Sequence, residues 1–356
     1  MKILYDENVF LTQKVGGISR YHYELYKGML ANGIDADITG KFIKNNYLLE
    51  DINFRKKFIA DPFALFPYFN KHTTIWKVKN VAKYDILHLT GYYDYLKSVI
   101  PKEAKVVVTI HDMIPEKEMA IPNPLKHFFA LRANKIIAVS EKTKKDIIEI
   151  LGIAEDKIQV VYHGSSLSIT QAKQPAKSLP DSYLLFVGQR SGYKNFTSLI
   201  NGLVSILNQN KSLHLVCAGR RAFNEQEQNQ FKKLGIEDQL ISFDNIDDDN
   251  LAFLYQHAQA FIFPSLFEGF GIPILEAWSC KAPVLLSDID CFREIAGKAG
   301  YYFDPQSPQD ITEKINEVLS NSQLANDLRI KGTERLKIYS WQRAVNETIK
   351  IYNSLL

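Results

Sequence analysis

Short apolar runs alternate with helical patterns along almost the whole chain. In the first half the runs cover 2–9, 84–90, 105–110, 135–139 and 157–162, and in the second half 183–188, 213–219, 240–246, 261–264, 282–288 and 301–305. Apolar residues at helical spacing lie between them, and Ser140 is placed to cap the helix that follows it. This alternation predicts an α/β fold with parallel sheets covered on both faces, in which ligands bind at the carboxyl ends of the strands.

The chain is long enough for two domains. It has 356 residues, of which 46% are hydrophobic, whereas single domains commonly have about 100–200 residues. Residues 166–182 are polar, contain Pro and Ser and show no periodicity, which indicates a linker. We therefore expect one domain over 1–165, a second over 183–340, and a final helix over 341–356.

The stretch 261–280, FIFPSLFEGFGIPILEAWSC, has the strongest functional signal. A short strand leads into a loop with Gly269 and Gly271 and then into a helix, an arrangement that directs backbone N–H groups towards an anion. Glu268 and Glu276 flank this loop, and carboxylates there can accept hydrogen bonds from sugar hydroxyls. On the residues alone, a helix-favouring Glu276 and a solvated Glu268 are equally good interpretations.

Two other strand ends carry candidate phosphate-binding groups. Gly16 and Gly17 separate the first strand from its helix, although the G-x-G-x-x-G spacing of dinucleotide sites is missing. Arg190 and Lys194 follow the strand at 183–188, where two cations at a helix start could neutralise a diphosphate. Solvated surface charges are the plainer alternative for this pair.

His111 and Asp112 directly follow the strand at 105–110. An imidazole at this position could hydrogen-bond a sugar hydroxyl, whereas a histidine at a strand end is more often structural. Asp112 is interpreted as structural.

Residues 41–84 combine nine basic and three acidic residues with aromatic residues, and Pro62 and Pro67 should break their helices. The aromatic positions are Phe54, Phe58, Phe63, Phe66, Tyr68, Phe69 and Trp76. Such a composition is typical of a surface helix at anionic lipid headgroups. An amphipathic cap whose aromatic side chains pack onto the domain is the commoner arrangement.

Composition limits the kinds of ligand and the cellular location that the chain is expected to have. Residues 1–178 have 26 Lys and Arg against 19 Asp and Glu, and the remainder has 17 against 21, so the first half should meet any anionic surface. No nucleic-acid motif accompanies these scattered charges. The three cysteines show no metal or disulfide spacing, and the sequence contains neither a secretory signal nor a long apolar run. A cytoplasmic protein, peripheral at the inner face of the membrane if 41–84 binds lipid, is the expectation.

The pair Glu268 and Glu276 resembles the E-x7-E signature of retaining glycosyltransferases of family 4, and the flanking EGFG and LEA match as well. TIHDMIPE and VGQRSGYKN are similar to segments of bacterial members related to mannosyltransferases. The resemblance extends from the Gly16–Gly17 loop to residues 301–305. It implies a GT-B fold, in which two doubly wound Rossmann-like domains face each other across a cleft and the last helix returns to the first domain.

The same resemblance implies roles for the candidate residues. Glu268 and the backbone of Gly269, Phe270 and Gly271 would hold the donor sugar, and Glu276 would hold the nucleotide ribose. Arg190 and Lys194 would bind the diphosphate, Gly16 and Gly17 would lie near the donor phosphate, and His111 would lie beside the reacting carbon and the acceptor.

The implied reaction transfers a hexose, foremost mannose from GDP-mannose, to a sugar hydroxyl of a polysaccharide or lipid-linked glycan. UDP-linked and dTDP-linked hexoses stay open, because Lys281, Ala282 and Asp244 depart from the family pattern on the nucleotide side. A sugar-nucleotide epimerase of the same fold and a non-catalytic sugar-binding protein are the alternatives.

No metal or other cofactor is expected. The acidic runs 247–249 and 288–290 could be mistaken for a D-x-D metal clamp, but each precedes a helix, where short acids act as caps.

Overall fold

The computed structural model describes residues 1–61, 66–219 and 221–356, so the predicted break at Pro62 and the aromatic Phe63 lie outside the described residues. The chain forms two compact units, one of Met1–Gly164 with Trp341–Leu356 and one of Ser165–Ser340. Each unit contains a parallel sheet, which confirms the predicted α/β class.

The strands of the first unit are β1 (Lys2–Tyr5), β2 (Asp35–Ile38), β3 (Phe42–Ile43), β4 (Ile59–Ala60), β5 (Ile86–Leu89), β6 (Val106–Ile110), β7 (Lys135–Ala138) and β8 (Ile158–Val160). Its helices, in chain order up to residue 164, are α1 (Asn8–Thr12), α2 (Gly17–Ala31), α3 (Asn46–Glu50), α4 (Pro67–Lys79), α5 (Ile114–Glu118), α6 (Pro124–Arg132) and α7 (Glu141–Leu151). The Ser140 side chain accepts a hydrogen bond from the Thr143 amide, which confirms the predicted cap of α7.

The main sheet of this unit has the parallel strand order β2-β1-β5-β6-β7-β8. Strands β5 and β6 consist entirely of buried residues, as expected for strands covered on both faces. The chain runs outwards in opposite directions from β1 and β5, so the switch point lies between these two strands. Ligand sites of doubly wound sheets form outside the carboxyl ends of the strands at such a point.

The second unit contains strands β9 (Ser182–Val187), β10 (Leu213–Gly219), β11 (Leu240–Asp244), β12 (Ala260–Phe263), β13 (Val284–Ser287) and β14 (Tyr301–Phe303). Its helices are α8 (Phe196–Gln209), α9 (Glu225–Leu234), α10 (Asp248–His257), α11 (Ile272–Ser279), α12 (Asp290–Ala296), α13 (Pro308–Ser320) and α14 (Ser322–Leu336). The parallel order is β11-β10-β9-β12-β13-β14, which places the switch point between β9 and β12.

The last helix, α15 (Trp341–Asn353), belongs to the first unit. It packs against α2 at Gly28, where an added Cβ would lie 2.3 Å from a side-chain carbon of Val345. The Tyr352 hydroxyl is 3.1 Å from that of Tyr5 in β1 and 2.5 Å from Nδ1 of His88 in β5. The C-terminal helix is therefore bonded to the strands on both sides of the switch point.

Two stretches differ from their sequence-based description. The first strand ends at Tyr5 rather than Val9, because Asp6 accepts hydrogen bonds from the backbone amides of Asn8 and Thr90. Residues 166–182, predicted as a linker, pack onto the second unit, where the Lys173 amide donates to the Asp249 carbonyl at 3.0 Å.

Candidate functional site

Two loops meet at the switch point of the second sheet. The first follows β9 and contains Arg190 and Lys194, and the second follows β12 and contains Glu268. The amide of Leu266 in the second loop donates to the carbonyl of Tyr193 in the first at 2.8 Å. The groups predicted from separate motifs therefore lie at one edge of one sheet.

Lys194 and Glu268 form a close ion pair. Nζ of Lys194 is 2.5 Å from Oε1 of Glu268, and the two side chains are only 17% and 12% exposed. Ser265, at the end of β12, donates from its hydroxyl to the same carboxylate at 2.8 Å. Lys194 and Glu268 were predicted to bind different parts of a ligand, and in this structure they are paired with each other.

Arg190 is bound differently. Its guanidinium donates to both carboxylate oxygens of Glu227 at 2.7 and 3.1 Å, and to the carbonyl oxygens of Arg221 and Ala222 at 3.0 and 2.8 Å. Glu227 also completes a capping box with Asn224 at the start of α9. Arg190 therefore joins its own loop to the loop after β10. The contact of Arg190 with a diphosphate stays a prediction.

A cavity of about 590 Å³ lies beside Arg190. Its walls come from the loop after β9, the start of α8 and the start of α9, and include Gln189, Thr197 and Gln226. The lining is rich in amide, hydroxyl and guanidinium groups, which suits a polar ligand.

Gly271 is the cap residue directly before α11, and its φ of +98° favours glycine. An added Cβ would lie 3.0 Å from the Phe292 ring and 3.1 Å from Ile274. Phe270 is buried, with its ring 6.0 Å from that of Tyr339, so it can serve a ligand only through its backbone. One turn further, Glu276 accepts a hydrogen bond from the buried Tyr255 hydroxyl at 3.2 Å.

In the first unit, Gly16 precedes α2 and Gly17 begins it. The Gly16 amide donates to the Tyr47 hydroxyl at 3.3 Å, and the Gln13 side chain accepts from the Ser19 amide at 3.0 Å. Hydrogen bonds to side chains before and after this turn thus hold it in place.

His111 follows β6 and lies among aromatic rings. Its ring is edge-to-face with Tyr21 at 5.0 Å and lies 5.6 Å from His22 and 5.8 Å from His163. Burial, and then the positive charge of Lys126, lower the pKa of His111 to about 3, so its imidazole is neutral near pH 7. Its Nε2 is buried and has no hydrogen-bond partner among the residues that the structure describes.

Sequence reasoning missed the carboxylates at the end of β1. Asp6 and Glu7 are buried, and burial followed by the charge of Glu7 raises the pKa of Asp6 to about 7. Asp6 accepts from the Thr90 amide and so joins the ends of β1 and β5, while Glu7 accepts from the Thr39 and Thr74 hydroxyls. Acids directly after a strand were the available signal.

The two acidic runs behave differently. Asp247 caps α10 by accepting from the Asn250 amide at 2.8 Å, which confirms the prediction for the first run. For the second run the prediction was wrong at Asp288: Ile289 is the cap position of α12, and Asp288 instead pairs with Arg293 at 2.6 Å.

The fold and the paired loops at the switch points define a GT-B glycosyltransferase, and comparisons with known proteins agree. Residues 15–168 match the model of Glycosyltransferase Family 4, and residues 168–335 match the model of Glycosyl transferases group 1. The chain belongs to the glycosyltransferases that combine these two domains.

Curated relatives include the O-antigen chain mannosyltransferase B of Escherichia coli, 26% identical over 77% of this chain and 80% of that protein. The serotype-specific mannosyltransferase WbdA of Escherichia coli is 28% identical over 78% of this chain, which spans 38% of WbdA. The crystal structure of HepE from Anabaena in complex with UDP and glucose matches with a TM-score of 0.77 and 17% identity, covering 99% of this chain and 100% of HepE.

Over residues 1–61, 66–219 and 221–356, no helix has both the length and the apolar character needed to cross a membrane.

Proposed function

We propose that this glycosyltransferase is a retaining hexosyltransferase, which transfers mannose from GDP-mannose to a sugar hydroxyl of a polysaccharide or lipid-linked glycan. The observation that carries the proposal is the pair formed by Lys194 and Glu268 at the switch point. A nucleotide sugar offers each of them another partner, since its diphosphate binds a cation and its hexose hydroxyls donate to a carboxylate. Mannose is favoured by the named activities of the relatives, and GDP as its carrier by the similarity of TIHDMIPE and VGQRSGYKN to segments of mannosyltransferase-related enzymes.

Binding of the donor exchanges partners at this pair. Lys194 turns from Glu268 to the diphosphate, and Glu268 accepts from hydroxyls of the hexose. Arg190 supplies a second positive charge from the wall of the cavity, and Glu276, steadied by Tyr255, accepts from the ribose hydroxyls. The backbone of residues 269–271 lies against the sugar ring, where Gly271 allows close approach.

In this proposal the first unit binds the acceptor. The loop of Gly16 and Gly17 lies near the donor phosphate, as the family resemblance implies, and the imidazole of His111, neutral near pH 7, hydrogen-bonds a sugar hydroxyl. The bond between the anomeric carbon and the phosphate oxygen breaks while the acceptor oxygen bonds to the same face of that carbon. The acceptor proton passes to the leaving phosphate, so the reaction needs neither a protein nucleophile nor a metal ion.

The exposed face of helix α4 favours a lipid-linked acceptor over a soluble one. Its polar residues Asn70 and Thr74 are buried against the unit, whereas Tyr68, Phe69 and Trp76 are 69%, 59% and 62% exposed. This reverses the usual amphipathic arrangement. Together with the surrounding positive charge, the exposed rings form a face that fits an anionic membrane surface.

The proposal is tested with a panel of GDP-, UDP- and dTDP-hexoses, each incubated with and without an oligomannose acceptor. Transfer from GDP-mannose with an α-linked product, read by NMR, is the expected result. Conversion of a nucleotide sugar without acceptor would instead identify an epimerase. Selective thermal stabilisation by a nucleotide sugar without any conversion would identify a binding protein.

A further inference from the structure

The loop that carries His111 is held from behind by a buried ion pair. Glu116 lies on α5 and Lys126 on α6, and their side chains are 5% and 9% exposed. Nζ of Lys126 is 2.8 Å from one carboxylate oxygen of Glu116 and donates to the other at 2.9 Å. The same ammonium donates to the backbone carbonyl of Asp112 at 3.1 Å. One cation therefore fixes both α5 and the Asp112–Met113 peptide, one residue beyond His111.

The next residue of α5 is anchored in the opposite direction. Nζ of Lys117 is 2.6 Å from a carboxylate oxygen of Asp146 on α7, and Lys142 pairs with the other oxygen at 2.5 Å. Helix α5 has only five residues, which is too short to be stable on its own. Its position, and that of the loop before it, therefore depends on these two ion pairs.

Stability alone does not explain a buried pair of charges. Removing two charges from water is costly, and apolar residues of similar volume often give an equally stable protein. An apolar pair, however, supplies no donor for the Asp112 carbonyl. The specific contribution of Lys126 is thus a defined position for the backbone of this loop.

His111 needs such a support. The rings of Tyr21 and His22 on α2 and of His163 after β8 lie around it, with centroids between 5.0 and 5.8 Å away, and Nε2 has no hydrogen-bond partner among the described residues. Ring packing limits where the imidazole can lie, but it does not fix the direction of Nε2 as a hydrogen bond would. That direction follows from the backbone held by Lys126.

We propose that Lys126 and Glu116 are positioning residues for His111, acting through the Asp112 carbonyl. The inference rests on the proposed role of His111 in sugar transfer. It predicts that the pair governs turnover rather than donor binding, because the charged residues proposed to hold the donor, Lys194, Glu268 and Glu276, belong to the other unit.

The test compares Lys126→Met, the double variant Lys126→Met/Glu116→Gln and Arg132→Met in the full chain, measuring kcat and the KM for the nucleotide sugar. The single Lys126 variant leaves a buried charge unpaired and loses thermal stability, whereas the double variant removes both charges and regains it. In both, kcat falls about tenfold to a hundredfold with an unchanged KM, since small displacements of a reacting group have effects of this size.

Arg132→Met is the matched control. Arg132 is also a cation of α6, and it donates to the carbonyl oxygens of Pro101, Lys102 and Ala104 before β6. Its loss should leave kcat unchanged. A double variant with wild-type kcat would overturn the positioning role, as would an equal fall in the control.

The variant His111→Asn separates this inference from the proposed function. If it retains full turnover, the role proposed for His111 is wrong and the positioning role is overturned with it. If it lowers kcat while Lys126→Met/Glu116→Gln does not, only the positioning role is overturned.

Discussion

The ammonium of Lys194 and the carboxylate of Glu268 lie 2.5 Å apart, although they come from loops on opposite sides of the switch point in the second sheet. Each charge neutralises the other while both are largely shielded from water. A ligand that binds to either one must therefore compete with the other. This competition gives opposite expectations for the two residues.

Lys194→Met should weaken binding of GDP, because the diphosphate loses a charged hydrogen bond worth about 1.5–3 kcal/mol, or roughly a tenfold to hundredfold change in Kd. Glu268→Gln should leave GDP binding equal or tighter, because the lysine no longer has a competing anion, while sugar transfer falls. Isothermal titration with GDP and a transfer assay measure the two effects.

Lys173→Met is the control for this pair, since Lys173 bonds to Asp249 in the same unit but is 74% exposed. Such surface pairs contribute little, so GDP binding should not change. Weaker GDP binding by Glu268→Gln would show that the carboxylate does not compete for the lysine.

Much of the second unit was predictable from the sequence because its signals are local. Alternating strands and helices, and glycines between β12 and α11, are read from neighbouring residues. The partners of the side chains in the site cannot be read in this way. Glu227, for example, lies 37 residues from Arg190 and forms a bidentate pair with it. Its only local signal was the spacing from Asn224, which indicates a helix start and not a contact with a strand-end arginine.

Gly271→Ala should lower both stability and donor binding. The left-handed backbone disfavours a side chain by about 1–2 kcal/mol, and the new Cβ would press on Phe292 at 3.0 Å. Gly235→Ala also has a positive φ, of +67°, but meets no atom closer than 3.9 Å. Urea unfolding should therefore show a larger loss for the first variant, and only that one should weaken nucleotide binding. Equal losses would remove the steric part of the explanation.

The buried histidines of the first unit should make stability fall in acid. Burial lowers the pKa of His88 and His111 to about 3 and that of His22 and His163 well below 6.5. Below pH 6.5 these four histidines therefore bind protons in the unfolded chain but not in the folded chain. Unfolding is favoured as pH falls from 6.5 towards 3, by up to about 1.4 kcal/mol per pH unit for each group.

The carboxyls at the end of β1 act in the opposite direction. Burial raises the pKa of Asp6 to about 7 and also raises that of Glu7, so folding takes up protons there as pH falls below 7. Four histidines outweigh two acids, and the chain should be less stable at about pH 5 than at about pH 7. His22→Phe should reduce this difference in urea unfolding, whereas the exposed His127→Phe should not. An unchanged pH dependence in His22→Phe would contradict the assignment.

Transfer should not require a divalent metal, because Lys194 and Arg190 supply the positive charge that the leaving diphosphate needs. Activity should be the same in EDTA as in Mg²⁺, with Asp247→Ala as a variant that loses both the carboxylate and a helix cap but keeps transfer. Loss of turnover in EDTA that is restored by Mg²⁺ or Mn²⁺ would contradict this expectation.

The sequence interpretation of 41–84 weighed a membrane-surface helix against an amphipathic cap and did not separate aromatic residues of the core from those of the surface. Phe54 and Phe58 are buried, as in an ordinary cap, but Tyr68, Phe69 and Trp76 are exposed. Composition alone cannot separate the two sets, because the inner face of α4 carries the polar Asn70 and Thr74 beside the apolar Val78. The two polar side chains are satisfied by hydrogen bonds to distant residues. One of these joins Thr74 to Glu7 across 67 positions of the chain.

The exposed face of α4 should bind anionic membranes. Wild-type protein should sediment with vesicles containing phosphatidylglycerol and remain in solution with phosphatidylcholine alone, because each nearby basic residue adds about 1 kcal/mol at an anionic surface. Phe69→Ser/Trp76→Ser should lose the apolar part of this binding. Ile330→Ser, at a position 55% exposed on α14 of the other unit, should not change it. Equal sedimentation of the double variant and the wild type would exclude α4 as the membrane contact and leave only a soluble glycan as the supported acceptor.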